Sequence, residues 1–163
     1  MHDGYIYEIR ADRSTMKVLL IEDMPRKAER IKEVLLKHFT DIELSEVSSY
    51  HSAIEDITEH GNEYDAILLD MSMNTYNVSV EENGGIPEPF AGIRILEKLY
   101  LNEIETNVIV ISMYHKIEGK DFKEIGSELK EQYPNLYDGF ILFSFDKNDW
   151  KQKLINYISS LYD

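Results

Sequence analysis

Tyr64-Asp65-Ala66-Ile67-Leu68-Leu69-Asp70 is a short apolar run that ends on a carboxylate. A run such as Ala66 to Leu69 suits a strand buried on both faces of a parallel sheet. Asp70 then falls at the carboxyl end of the strand, the edge where open α/β sheets bind their ligands. Val18-Leu19-Leu20-Ile21 ends in the same manner, on Glu22-Asp23. Two buried strands that bring Glu22, Asp23 and Asp70 to one edge concentrate negative charge, and a divalent cation is the usual remedy. Each acid taken singly also fits an ordinary loop opener or helix cap.

Outward from these two strands the pattern alternates. Pro25 opens a helix in which Ala28, Ile31, Val34, Leu35 and Phe39 form the apolar stripe, with Arg26, Lys27, Glu29, Arg30 and Lys37 on the remaining surface. Ile42 to Val47 is a weaker strand whose charges suit an exposed edge. Tyr50 to His60 reads as a helix stopped by Gly61. From Met71 to Pro89 the periodicity fails among Asn, Gly and Pro residues, so a long polar loop is expected, mobile until a partner or the site orders it. A third helix spans about Phe90 to Leu101. Val108 to Ile111 is the most apolar run and ends on Ser112. Ile117 to Gln132 is expected to be helical, Phe140 to Phe143 a strand, and Asp149 to Leu161 a last amphipathic helix. Residues 1–15 read as an N-terminal arm or an extra edge strand, and 16–163 as one domain with an insertion at about 71–89.

Five strands alternating with five helices predict a doubly wound parallel sheet with helices on both faces. Right-handed crossovers leave few arrangements, among which the flavodoxin-like (βα)5 order 2-1-3-4-5 sets the ends of the first and third strands side by side. The 163 residues suffice for one domain with decoration. A formal charge of −14 argues against nucleic acid and anionic membrane as partners. With zero cysteines, disulfides, thiolate zinc sites and cysteine nucleophiles are excluded, in keeping with a cytoplasmic location. No apolar stretch approaches the roughly 20 residues needed to span a bilayer.

These residues resemble the response-regulator receiver domain of two-component phosphorelay signalling. Val18 to Asp23 is similar to that family's first strand with its acidic pair, and Ile67 to Asp70 to the third strand with its phosphoacceptor. Ala91-Gly92-Ile93-Arg94-Ile95-Leu96 is similar to the start of the third helix. Val110-Ile111-Ser112 is similar to the strand that ends in the switch hydroxyl, and Asp138 to Leu142 to the fifth strand, with Phe140 at the aromatic switch position. The resemblance implies that Asp70 accepts phosphate, that Glu22, Asp23 and Asp70 hold Mg²⁺, and that Ser112 binds the phosphoryl oxygen.

Three departures from the family pattern stand out. Phe143 takes the place of the family's lysine, and Lys147 is the nearest substitute. Gly92 follows Asp70 by 22 residues (92 − 70), far beyond the family's short loop. Met113 follows Ser112 where a small residue is usual.

The function expected is therefore that of a non-enzymatic, atypical receiver. The state of Asp70 would modulate protein–protein interaction, with a histidine kinase or phosphotransfer protein upstream and a protein partner downstream. A homodimer is left open. The second reading is a pseudo-receiver, an interaction module that works without phosphorylation. A flavodoxin-like nucleotide or flavin binder is the third reading. It is opposed by Glu22-Asp23-Met24-Pro25, which lacks the glycines that approach a phosphate.

Overall fold

The computed structural model describes residues 15–73 and 89–162. The N-terminal arm and most of the expected insertion therefore lie outside the described residues. The elements in chain order are β1 (Met16–Ile21), α1 (Pro25–His38), β2 (Ile42–Val47), α2 (Tyr50–His60), β3 (Ala66–Leu69), α3 (Ala91–Leu101), β4 (Asn107–Ser112), β5 (Lys116–Ile117), β6 (Lys120–Asp121), α4 (Phe122–Gln132), β7 (Tyr137–Leu142) and α5 (Asp149–Leu161). The main sheet has five parallel strands in the order β2-β1-β3-β4-β7. This is the predicted 2-1-3-4-5 arrangement.

Alternation along the central strands divides the core in two. Leu19, Ile21, Ile67 and Leu69 pack with residues of α2, α3 and α4 on one face. Val18, Leu20, Ala66 and Leu68 pack with α1 and α5 on the other. All four residues of β3 are buried, as expected of a strand covered on both sides. Each such Leu or Ile contributes about 1.5–3 kcal/mol on burial. β2 at the edge is half exposed.

One local expectation is corrected. The segment from Ile117 does not begin as helix. Lys116–Ile117 and Lys120–Asp121 pair as a small antiparallel ribbon around Glu118 and Gly119, both at positive φ, and α4 starts only at Phe122. Asp121 caps that helix by accepting from the Lys123 N–H at 2.9 Å. Gly61 closes α2 as expected, though without a left-handed conformation. It is right-handed (φ −53°) and leads into a short 3₁₀ turn, Gly61–Glu63. A Cβ at Gly61 would lie 2.5 Å from Ile104 Cδ1, so close packing explains the glycine.

Candidate functional site at the carboxyl edge of the sheet

Backbone pairing fixes the two acidic strand ends side by side. The Asp70 N–H donates to Ile21 O at 3.1 Å, and the Glu22 N–H donates to Val47 O at 3.1 Å. Both residues thus continue the ladders just beyond β3 and β1. One carboxylate oxygen each from Glu22, Asp23 and Asp70 lies within 4.8 Å of the others. The three acids singled out in the sequence converge.

Glu22 is buried, Asp23 and Asp70 are half-buried, and Glu22 Oε1 has no hydrogen-bond partner among the described residues. Burial pushes the Glu22 carboxyl up to about 9, with the neighbouring Asp70 charge adding to the rise and Lys27 opposing it. An orphaned carboxylate oxygen beside two further acids is a set of hard oxygen donors suited to Mg²⁺. The residues present fit that ion.

The amphipathic pattern sets Lys27 on the outer surface of the first helix; the structure buries it. Its Nζ donates to Ile111 O at 2.6 Å and to Glu22 Oε2 at 3.1 Å, and lies 3.2 Å from Asp70 Oδ1. All three ammonium protons therefore have acceptors. The sequence did carry a signal for this. Lys27 precedes Ile31 by four residues and Val34 by seven, which puts it on the buried stripe of α1. Its position in the first turn also sets a cation against the positive end of the helix dipole, a cost that the two carboxylates offset.

Phe143, in the place where the family has its lysine, is buried. Its ring packs against Trp150 (centroids 4.6 Å apart) and Phe145 (4.9 Å), and the Lys27 ammonium lies 5.8 Å from its centroid. Lys147, the expected substitute, is exposed, and its backbone N–H bonds to Ser144 Oγ. The cation at this site comes from α1.

Ser112 is buried at the end of β4. Its Oγ accepts from the Tyr114 N–H at 3.2 Å, and its carbonyl accepts from the Phe143 N–H at 2.8 Å. Phe140 is half-buried and stacks on Phe122 with centroids 4.1 Å apart, which favours packing as its present role. Met113 packs, half-buried, against the core on the α1 and α5 side. Gly92 approaches the site through its N–H, which donates to Met71 O at 2.8 Å; a Cβ there would lie 2.8 Å from Asp70 O. A cavity of about 1180 Å³ opens at the opposite edge, lined by residues such as Lys17, Asp65 and Asn107, and takes no part in this constellation.

No family model matches the chain. Among curated proteins it is 28% identical over 151 residues to the Detocs response regulatory protein DtcB of Enterobacter cloacae, covering 90% of this chain and all of that one. Among solved structures it superposes on the response regulator domain of Thermotoga maritima CheB with a TM-score of 0.63 at 19% identity, covering 91% of this chain and 96% of that one. It also superposes on a chain of the CheX-CheY-BeF3-Mg complex from Borrelia burgdorferi with a TM-score of 0.59 at 15% identity, covering 91% and 90%. No helix among the described residues is long and apolar enough to cross a membrane. The resemblance is thus borne out: the chain has the fold of the response-regulator receiver domains, and a curated relative is a response regulatory protein.

Proposed function

We propose that this chain is a receiver-type signalling switch in which Asp70 accepts a phosphoryl group. The observation that carries the reading is the convergence of Glu22, Asp23 and Asp70 within 4.8 Å at the carboxyl edge of β1 and β3. Glu22, Asp23 and Asp70 would hold Mg²⁺, which when bound supplies positive charge next to the incoming phosphoryl oxygens. Phosphoryl transfer needs mainly positioning and neutralisation, and the rest of the site is built for both.

Asp70 Oδ1 is fixed by the Met71 N–H at 2.9 Å and by Lys27, so Oδ2 is the oxygen left to attack phosphorus. A bond forms between the Asp70 carboxylate and phosphorus as the bond from phosphorus to its donor breaks, and the donor leaves with the electron pair. Ser112, at the end of β4, offers its hydroxyl to the transferred group. A solved complex that includes a chain of this fold contains BeF3 and Mg, in keeping with this chemistry. A histidine kinase or phosphotransfer protein in the cytoplasm would be the donor, and a protein partner would read the product.

The test is incubation with Mg²⁺ and acetyl phosphate followed by intact mass. Wild type should gain one phosphoryl group and Asp70→Asn none. The pseudo-receiver reading is favoured by one observation, the buried phenyl ring of Phe143 where a lysine is usual. It predicts no mass gain in either protein.

A further inference from the structure

We propose that Lys27 is the phosphoryl-pairing cation of this site, delivered from the first helix in place of the lysine that Phe143 displaces from the last strand. The proposal rests on Asp70 being the phosphoacceptor. Three observations carry it. Among the described residues Lys27 is the ammonium that reaches the cluster, 3.2 Å from Asp70 Oδ1 and 3.1 Å from Glu22 Oε2. The position after β7 is filled by a ring locked between Trp150 and Phe145. The same Nζ also donates to Ile111 O at 2.6 Å, on the residue immediately before Ser112.

That third bond gives the lysine a second task. Asp70, Lys27 and the Ile111 carbonyl form one connected path from β3 to β4, and the Ser112 carbonyl extends it to the Phe143 N–H after β7. An ammonium with three acceptors and three protons has none to spare. When Asp70 gains phosphoryl oxygens, Lys27 turns to them and gives up one of its present partners. Glu22, if it turned to a bound cation, would release the ammonium from that carboxylate. The site can then shift population only through what the ammonium gains in the modified state over the unmodified one. Lys27 is thus the residue through which the charge on Asp70 reaches the end of β4.

The experiment compares wild type, Lys27→Met, Lys27→Gln and Lys27→Arg. Each is given Mg²⁺ with acetyl phosphate, whose oxygen–phosphorus bond breaks to release acetate, and separately Mg²⁺ with beryllofluoride, followed by backbone NMR. Wild type should be phosphorylated, and beryllofluoride should move the Ile111, Ser112 and Phe143 amides. Lys27→Met and Lys27→Gln should react roughly tenfold more slowly or worse, about 1.4 kcal/mol in the barrier, with beryllofluoride shifts confined to the neighbourhood of Asp70. Lys27→Arg should recover part of the response.

Glutamine keeps a donor for Ile111 O without the charge, so it remains informative if the methionine variant does not fold. Wild-type rates and β4 shifts in a folded Lys27→Met or Lys27→Gln protein would overturn the role of the lysine while leaving Asp70 as acceptor. A wild-type protein inert to both reagents would overturn the phosphoacceptor reading and this proposal with it.

Discussion

The ammonium of Lys27 sits 5.8 Å from the centre of the Phe143 ring, so the residue that supplies the positive charge and the one that takes its usual place are neighbours. A cation within about 6 Å of an aromatic face is attracted to it, by about 0.5–1 kcal/mol when exposed and more when desolvated. The sequence alone suggests that restoring a lysine at 143 would strengthen a switch. The structure sets a stability cost against it. Phe143→Lys would put a second ammonium into an aromatic pocket next to the first, and a buried unpaired charge costs several kcal/mol. We expect Phe143→Lys to lower unfolding free energy by at least about 3 kcal/mol, measured by urea denaturation. Wild-type stability in that variant would show that the pocket has another partner for the charge.

Gly92 is expected to be intolerant of even one methyl group. A Cβ there would meet two backbone atoms, Asp70 O at 2.8 Å and Met71 Cα at 3.0 Å. Neither can swing aside as a flexible side chain could. Gly92→Ala should cost about 1–3 kcal/mol by overpacking, and should slow phosphorylation by displacing the acceptor. Thermal melts and acetyl phosphate labelling read the two effects; an unchanged melt would mean that α3 can slide away from β3 without penalty.

Asp70→Asn preserves shape and removes one charge from the three-acid cluster. Calorimetric titration with Mg²⁺ or Mn²⁺ should show at least about tenfold weaker binding in the variant, about 1.4 kcal/mol. Equal affinities would mean that the three carboxylates do not share an ion.

Alkaline pH should destabilise the fold through buried and half-buried phenols. Burial raises Tyr64 and Tyr137 to about 12, and Tyr157 is raised further by burial and by its hydrogen bond to Asp138 Oδ2 at 2.7 Å. A phenol whose folded pKa exceeds its unfolded value, about 10, contributes stability that is complete below that value. Above it the unfolded chain releases the proton first, so stability falls as pH rises toward the folded pKa. Tyr157→Phe should lose about 1 kcal/mol at neutral pH and show a shallower decline between pH 10 and 12 than wild type. Parallel pH profiles for the two proteins would exclude Tyr157 as a contributor.

Much of the architecture was legible because it rests on local pattern. The limits of β2 and α2 match those read from the sequence, and Glu22, Asp23 and Asp70 meet because the first and third strands of a 2-1-3-4-5 sheet lie side by side. The ribbon at Lys116–Asp121 was not legible. Its two-residue strands are too short for any periodicity to register, and its turn residues read equally well as the first turn of a polar helix.

The sequence by itself determined the fold class and the meeting of the three acids, since apolar runs that end on carboxylates set them at the carboxyl ends of neighbouring strands. What it could not decide was the source of the positive charge. A helical repeat shows which residues share a stripe, but how far the helix is rolled against the sheet decides whether a residue at the margin of that stripe faces water or the core. Lys27 stands at that margin. It is buried because β1 supplies Glu22, β3 supplies Asp70 and β4 supplies the Ile111 carbonyl, three acceptors from distant parts of the chain that together replace its hydration. Only the packing of α1 over those strand ends brings them within reach, and a charge enters a protein interior only where such partners already wait.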